Sequence, residues 1–93
     1  MLDVRDDSEW DEGHISGALH AYVGDLEEHL PAVDRQQKLI VCCSVGHRAA
    51  IAVSILRAAG FSNVYNMLGG MKAWQSLQLP IESHHGEQRP VAA

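Results

Sequence analysis

Apolar residues along the chain fall into short bursts separated by polar stretches, and the period of each burst predicts an element. LDV (2–4) is an apolar burst ended by charge, the mark of a buried strand. Ser8 opens a capping-box spacing with Asp11, which predicts a helical turn closed by Gly13. ALHAYV (18–23) predicts a second strand. Asp25 and Glu28 repeat the capping spacing ahead of Leu26, Leu30 and Val33, a helical stripe that Pro31 ends near Leu30. KLIVC (38–42) is a continuous apolar run of strand length, the pattern of a parallel strand buried on both faces.

RAAIAVSILRAA (48–59) predicts the main helix, with Gly60 where a C-terminal cap belongs. SNVYNM (62–67) alternates and reads as another strand. Gly69 and Gly70 form a turn, and MKAWQSL (71–77) is a last short helix closed by Pro80. Trp10, Phe61 and Trp74 are assigned to the core. Residues 82–93 are polar and aperiodic, and read as a loose tail behind one domain over 1–81. Strands alternating with helices define an α/β domain with a mainly parallel sheet. Ligands of such sheets sit beyond the carboxyl ends of strands, which points to VCCSVGHRAA, residues 41–50.

Composition narrows the function. Ninety-three residues make a single domain, and 46% hydrophobic against 20% charged residues fits a globular chain. A formal charge of −5 with no basic run repels phosphate, so nucleic acid is not expected as a partner. The apolar stretches are far shorter than the ~20 residues that cross a bilayer, so no membrane contact is expected. MLDVRDDSEW lacks the basic-then-apolar pattern of a signal peptide. The expectation is a soluble, cytoplasmic protein. Cys42 and Cys43 are the only cysteines, and a bridge between neighbours is strained, so they read as free thiols in a reducing compartment.

The two cysteines are not equivalent. KLIVC already fills a strand, so Cys42 is its last, core-packed residue and Cys43 the first residue of the following loop. Residues bending from a strand into a helix, with Gly46 free to adopt an unusual dihedral, can turn successive backbone N–H groups toward one point. The helix N-terminus adds roughly +0.5 charge, and such a nest favours a thiolate. Cys43 is the nucleophile on this reading, against the competing reading of a small buried hydrophobe. Ser44, Val45, Gly46, His47 and Arg48 complete the loop. Arg48 anchors it and supplies positive potential. His47 either recruits an anionic donor or is a plain surface residue, and Ser44 is a polar loop residue rather than a nucleophile. No His or Cys spacing, His84 and His85 included, forms a zinc site.

Across roughly residues 2–81 the chain resembles the rhodanese domain, a single-domain sulfurtransferase family. LDVRDDSEWDEGHISGAL resembles the opening motif, CSVGHR (43–48) the active-site loop, and GFSNVYNMLGGMKAW (60–74) the closing motif. The resemblance implies a rhodanese-like sheet flanked by helices on both faces. It also implies persulfide chemistry at Cys43 without metal or organic cofactor, and structural ion pairs or hydrogen bonds for Asp3, Arg5 and His14. The donor would be thiosulfate or a thiol persulfide, and the acceptor cyanide or a thiol. Counting the loop from Cys42 instead resembles the longer-looped phosphatase or arsenate reductase variant of the fold. A non-catalytic regulatory module is the other alternative. Members usually carry a helix and a strand before the D-V-R strand, which this sequence lacks. The expectation is an uncovered sheet edge, met by a preceding domain in a longer chain or by self-association.

Overall fold

The computed structural model describes residues 1–83 and the backbone of residues 88–89. Four strands, β1 (Leu2–Asp3), β3 (Leu19–His20), β4 (Leu39–Cys42) and β5 (Val64–Asn66), form one sheet in the order β3-β1-β4-β5. Every pairing in it is parallel. A second, antiparallel sheet joins β2 (His14–Ile15), β6 (Ile81–Glu82) and β7 (Gln88–Arg89) in the order β2-β6-β7. The helices are α1 (Asp7–Glu12), α2 (His47–Ala58) and α3 (Gly70–Ser76).

The core divides about the parallel sheet, as the strand period requires. Leu39 and Val41 of β4 pack with Leu2, Val4 and Val64, and with Ala49, Ala52, Val53 and Leu56 of α2. Cys42 belongs to a second cluster with Ile15 and Met71, the latter from α3. Helices therefore cover both faces, and β4 is buried on each side as its unbroken apolar run demands. The C-terminus of α2 closes as a Schellman motif. Phe61 N–H donates to the Leu56 carbonyl at 3.0 Å and Gly60 N–H to that of Arg57 at 3.1 Å, with Gly60 at φ +98°. Phe61 and Leu56 then meet in the core.

Four sequence expectations change. The cap of α1 is Asp6 with Glu9, not Ser8 with Asp11. Asp6 accepts the Glu9 backbone N–H at 2.9 Å, and Glu9 reaches back to the Asp6 N–H at 3.3 Å. The stripe Leu26, Leu30 and Val33 does face the core, but no α-helix carries it. A 3-10 turn at Val23–Asp25 tucks Leu26 fully inside, and Leu30 and Val33 pack against the cluster from irregular backbone. One further turn follows, the Asp25 carbonyl accepting the Glu28 and His29 N–H groups at 3.2 and 2.9 Å, and Pro31, with no N–H to donate, stops it from growing into a helix. Of the tail expected over 82–93, Glu82 lies in β6 and residues 88–89 pair with it, while 84–87 and 90–93, His84 and His85 included, lie outside the described residues. Trp10 and Trp74 are half-buried rather than central. Trp74 packs against the second cluster, whereas Trp10 stacks with His14 at 3.4 Å between ring centroids and with His20 at 4.7 Å.

Asp3 and Arg5 form a buried ion pair at the end of β1. Asp3 is 0% and Arg5 6% exposed; the Arg5 guanidinium donates to Asp3 at 2.7–3.1 Å and to the Gly13 carbonyl at 2.7 Å. The pair joins the first strand to the end of α1. His14 continues that join, its Nδ1 donating to the Trp10 carbonyl at 2.9 Å. All three residues are structural in their contacts. Replacing Arg5 by leucine strands the Asp3 carboxylate in the interior, so urea denaturation of that variant should show a loss of about 3–5 kcal/mol. Replacing both Asp3 and Arg5 by apolar residues should restore part of it.

Candidate active site

β4 delivers the chain to Cys43, four residues make the bend, and α2 starts at His47. Gly46 caps α2 at φ +116° and ψ −12°, a conformation that side chains disfavour. The result is convergence on one atom. Cys43 Sγ accepts the Gly46 N–H at 3.1 Å and the Ala49 N–H at 3.3 Å. Two backbone donors and the positive end of α2 thus face the sulfur, an arrangement that favours an anion.

The outward-turned peptide oxygens of the bend are held by α3. Met71 N–H donates to the Cys43 carbonyl at 2.7 Å and Lys72 N–H to the Ser44 carbonyl at 3.0 Å. α3 approaches this closely only because Gly70 has no side chain. A Cβ there would lie 2.2 Å from the Cys43 oxygen and 2.6 Å from that of Ser44, and Gly70 sits at φ +54°. Gly70, expected to be turn, is the first residue of α3 and a structural partner of the loop. Only the paired glycines ahead of MKAW hinted at it.

Cys42 and Cys43 are almost equally hidden, at 0% and 1% exposure, so accessibility does not separate them. Their surroundings do. Burial first, and then the Asp3 carboxylate, pushes the Cys42 thiol up to about 12. Cys42 therefore stays protonated near neutrality, within the cluster of Ile15 and Met71. Cys43 lies in the other cluster, with the amides directed at it.

Arg48 holds the loop through a residue that sequence reading missed. Its guanidinium makes a two-pronged contact with the Glu9 carboxylate at 2.5 and 3.0 Å, joining α2 to α1. Arg48 holds the Glu9 carboxyl below the usual range, and Glu9 in turn raises Arg48. The two partners lie 39 residues apart, with no local pattern linking them. Both side chains are about a third exposed, so the pair orients more than it stabilises. Val45 and His47 form an exposed crest, and Ser44 is partly covered. The structure brings together Cys43, Ser44, Gly46 and Arg48, and leaves Asp3, Arg5 and His14 to the framework.

The profile of the rhodanese-like domain family matches residues 1–77. This chain belongs to that family. It is 36% identical to the thiosulfate sulfurtransferase GlpE of Stutzerimonas stutzeri (strain A1501), over 96% of this chain and 81% of that protein. Among solved structures, it superposes on the rhodanese-like domain of the Anabaena sp Alr3790 protein with a TM-score of 0.82 and 32% identity, covering 99% of this chain and 70% of that one. Human single-domain sulfurtransferase TSTD1 gives a TM-score of 0.76 at 26% identity, covering 81% of this chain and 79% of that one.

Two tests follow from this geometry. Gly70→Ala drives a methyl group into backbone oxygens that cannot retreat, and should cost about 2–3 kcal/mol in denaturant melts. Iodoacetamide labelling of Cys43 should change in the same variant if the loop is displaced. The Cys42 thiol tests the other half of the argument. Its folded value lies above the 9.0 of an unperturbed thiol, so its contribution to stability is full below pH 9 and lost as pH rises toward about 12. Cys42→Ala should show a shallower alkaline decline of stability than the wild type over that window, measured by melts at matched pH.

Proposed function

We propose that this protein is a sulfurtransferase that carries sulfane sulfur as a persulfide on Cys43. The observation that supports this most is the pair of backbone amides, Gly46 and Ala49, aimed at Cys43 Sγ beside a neighbour whose sulfur stays protonated in the core. In the first step the Cys43 thiolate attacks the outer sulfur of the donor. A bond forms between Sγ and that sulfur, the donor's own S–S bond breaks, and sulfite or a thiolate leaves with the electron pair. In the second step cyanide or a thiolate attacks the bound sulfur, and Cys43 departs as thiolate. Neither step needs an oxidant, a metal or an organic cofactor.

The chain's own groups serve both steps. The two amides hold the negative charge that passes between Sγ and the terminal sulfur, and the start of α2 adds to them. Arg48 is engaged with Glu9, which leaves no unpaired arginine in the loop for a divalent anion. That favours a thiol persulfide such as glutathione persulfide, whose reacting sulfur end bears at most one charge, over the compact dianion thiosulfate as the better donor, with His47 near its path. The phosphatase and arsenate reductase readings need Cys42 as nucleophile, and its burial and raised pKa weigh against them. The free thiols suit a reducing, cytoplasmic setting, and no helix among the described residues is long and apolar enough to cross a membrane.

Cys43→Ser should abolish transfer of sulfur to cyanide, while Cys42→Ser keeps most of it. Intact mass after treatment with glutathione persulfide or thiosulfate should show a gain of one sulfur in the wild type and in Cys42→Ser alone. An inactive Cys42→Ser beside an active Cys43→Ser would reverse the assignment. Unloaded wild-type protein with both donors would favour a regulatory module instead.

A further inference from the structure

Asn66 ends β5 beside the bend, with its side chain directed at Gly46. Its Nδ2 donates to the Gly46 carbonyl at 3.2 Å. Its Oδ1 is buried and is the one atom among the described buried side-chain N and O atoms without a partner. The Gly46 carbonyl already accepts the Ala50 N–H at 3.0 Å, the first hydrogen bond of α2, and α2 has no side-chain N-cap of its own. Asn66 is therefore not needed to satisfy that oxygen. It adds a second, lateral hold on a residue at φ +116° whose N–H points at the reactive sulfur.

A glycine free to rotate is a poor place from which to aim a donor, because its backbone has more conformations to lose than any other residue. Fixing its carbonyl from the neighbouring strand fixes the following peptide and restricts the dihedrals that direct its own amide. The uncompensated Oδ1 shows that stability alone does not explain an asparagine here, since an acceptor buried without a donor is destabilising. We propose that Asn66 is a positioning residue for sulfur transfer, acting through Gly46 to aim the Gly46 N–H at the anionic sulfur of Cys43. The inference rests on the reading of Cys43 as the persulfide-forming thiol. Asn66 acts through the backbone and touches no reacting atom.

The test compares the wild type with Asn66→Leu, which keeps the shape but neither donates nor accepts, and with Asn66→Asp, which keeps the shape and can only accept. Single-turnover sulfur loading from glutathione persulfide is followed by intact mass, the Gly46 amide by its NMR resonance, and stability by thermal melting. Both variants should load sulfur about tenfold more slowly, the equivalent of one net hydrogen bond. The Gly46 amide proton should move upfield in both as its bond to sulfur weakens. Asn66→Leu should nevertheless melt no lower than the wild type, because the unpaired oxygen is gone. Loading at the wild-type rate, or slower loading with an unmoved Gly46 resonance, overturns the proposal. So does a fall in melting temperature that tracks the fall in rate across both variants, which would make Asn66 merely structural. Cys43→Ser is the separate control: if it still loads sulfur, the assignment of the thiol fails, while the Gly46 resonance still reports whether Asn66 holds the loop.

Discussion

The backbone of Gly70 lies against the carbonyl oxygens of Cys43 and Ser44 more closely than any side chain would permit. A peptide group directs its oxygen and its hydrogen to opposite sides. A bend that gathers N–H groups on its inner side must therefore find acceptable surroundings for oxygens on its outer side. Met71 and Lys72 provide them, as otherwise unpartnered donors in the first turn of α3. The needs of two chain segments are met in one contact: α3 gains acceptors, and the bend between β4 and α2 is pulled into shape. The electrostatics of the sulfur depend on this arrangement, and so does the place of α3 on its face of the sheet.

The same local geometry separates two cysteines that composition cannot distinguish. Strand alternation sends Cys42 into the cluster with Ile15 and Met71, next to the carboxylate of Asp3. One residue later the strand has ended, and Cys43 turns toward α2. Nearly equal burial thus coexists with opposite charge environments. The Asp3–Arg5 pair, the stacking of His14 on Trp10 and the Glu9–Arg48 contact then tie α1 to this centre from the other end of the chain.

Much of the architecture was legible in the sequence because it rests on local periodicity. KLIVC had to be a strand buried on both faces, and the helix after it ended where Gly60 made a left-handed exit cheap in backbone strain. The Cys43 loop was legible too, since a strand, a glycine and a helix start lay in order. Errors arose where several local solutions compete. Asp6, Asp7 and Ser8 can all cap a helix, and only the reach from Glu9 back to the Asp6 amide settles which does. The Leu26 stripe faced the core as its spacing suggests, but a 3-10 turn and irregular chain bury it as well as a helix would. Glu9, Gly70 and Asn66 were missed for a different reason. Their importance lies in contacts with residues 20 to 39 positions away, which no window of sequence displays.

Placing the two sulfurs in different clusters bears on how long the proposed persulfide would survive. A thiol next in sequence to a persulfide would ordinarily be an intramolecular rival for its outer sulfur, or a partner for closing a vicinal disulfide. Cys42 is barred from both. The attacking species in such exchange is the thiolate, and a thiol raised to about 12 is almost wholly protonated at neutral pH. A ring between adjacent residues would also have to break the β4 geometry that buries it. Under the proposed chemistry, a persulfide on Cys43 would be shielded from its own neighbouring cysteine and left to an external acceptor.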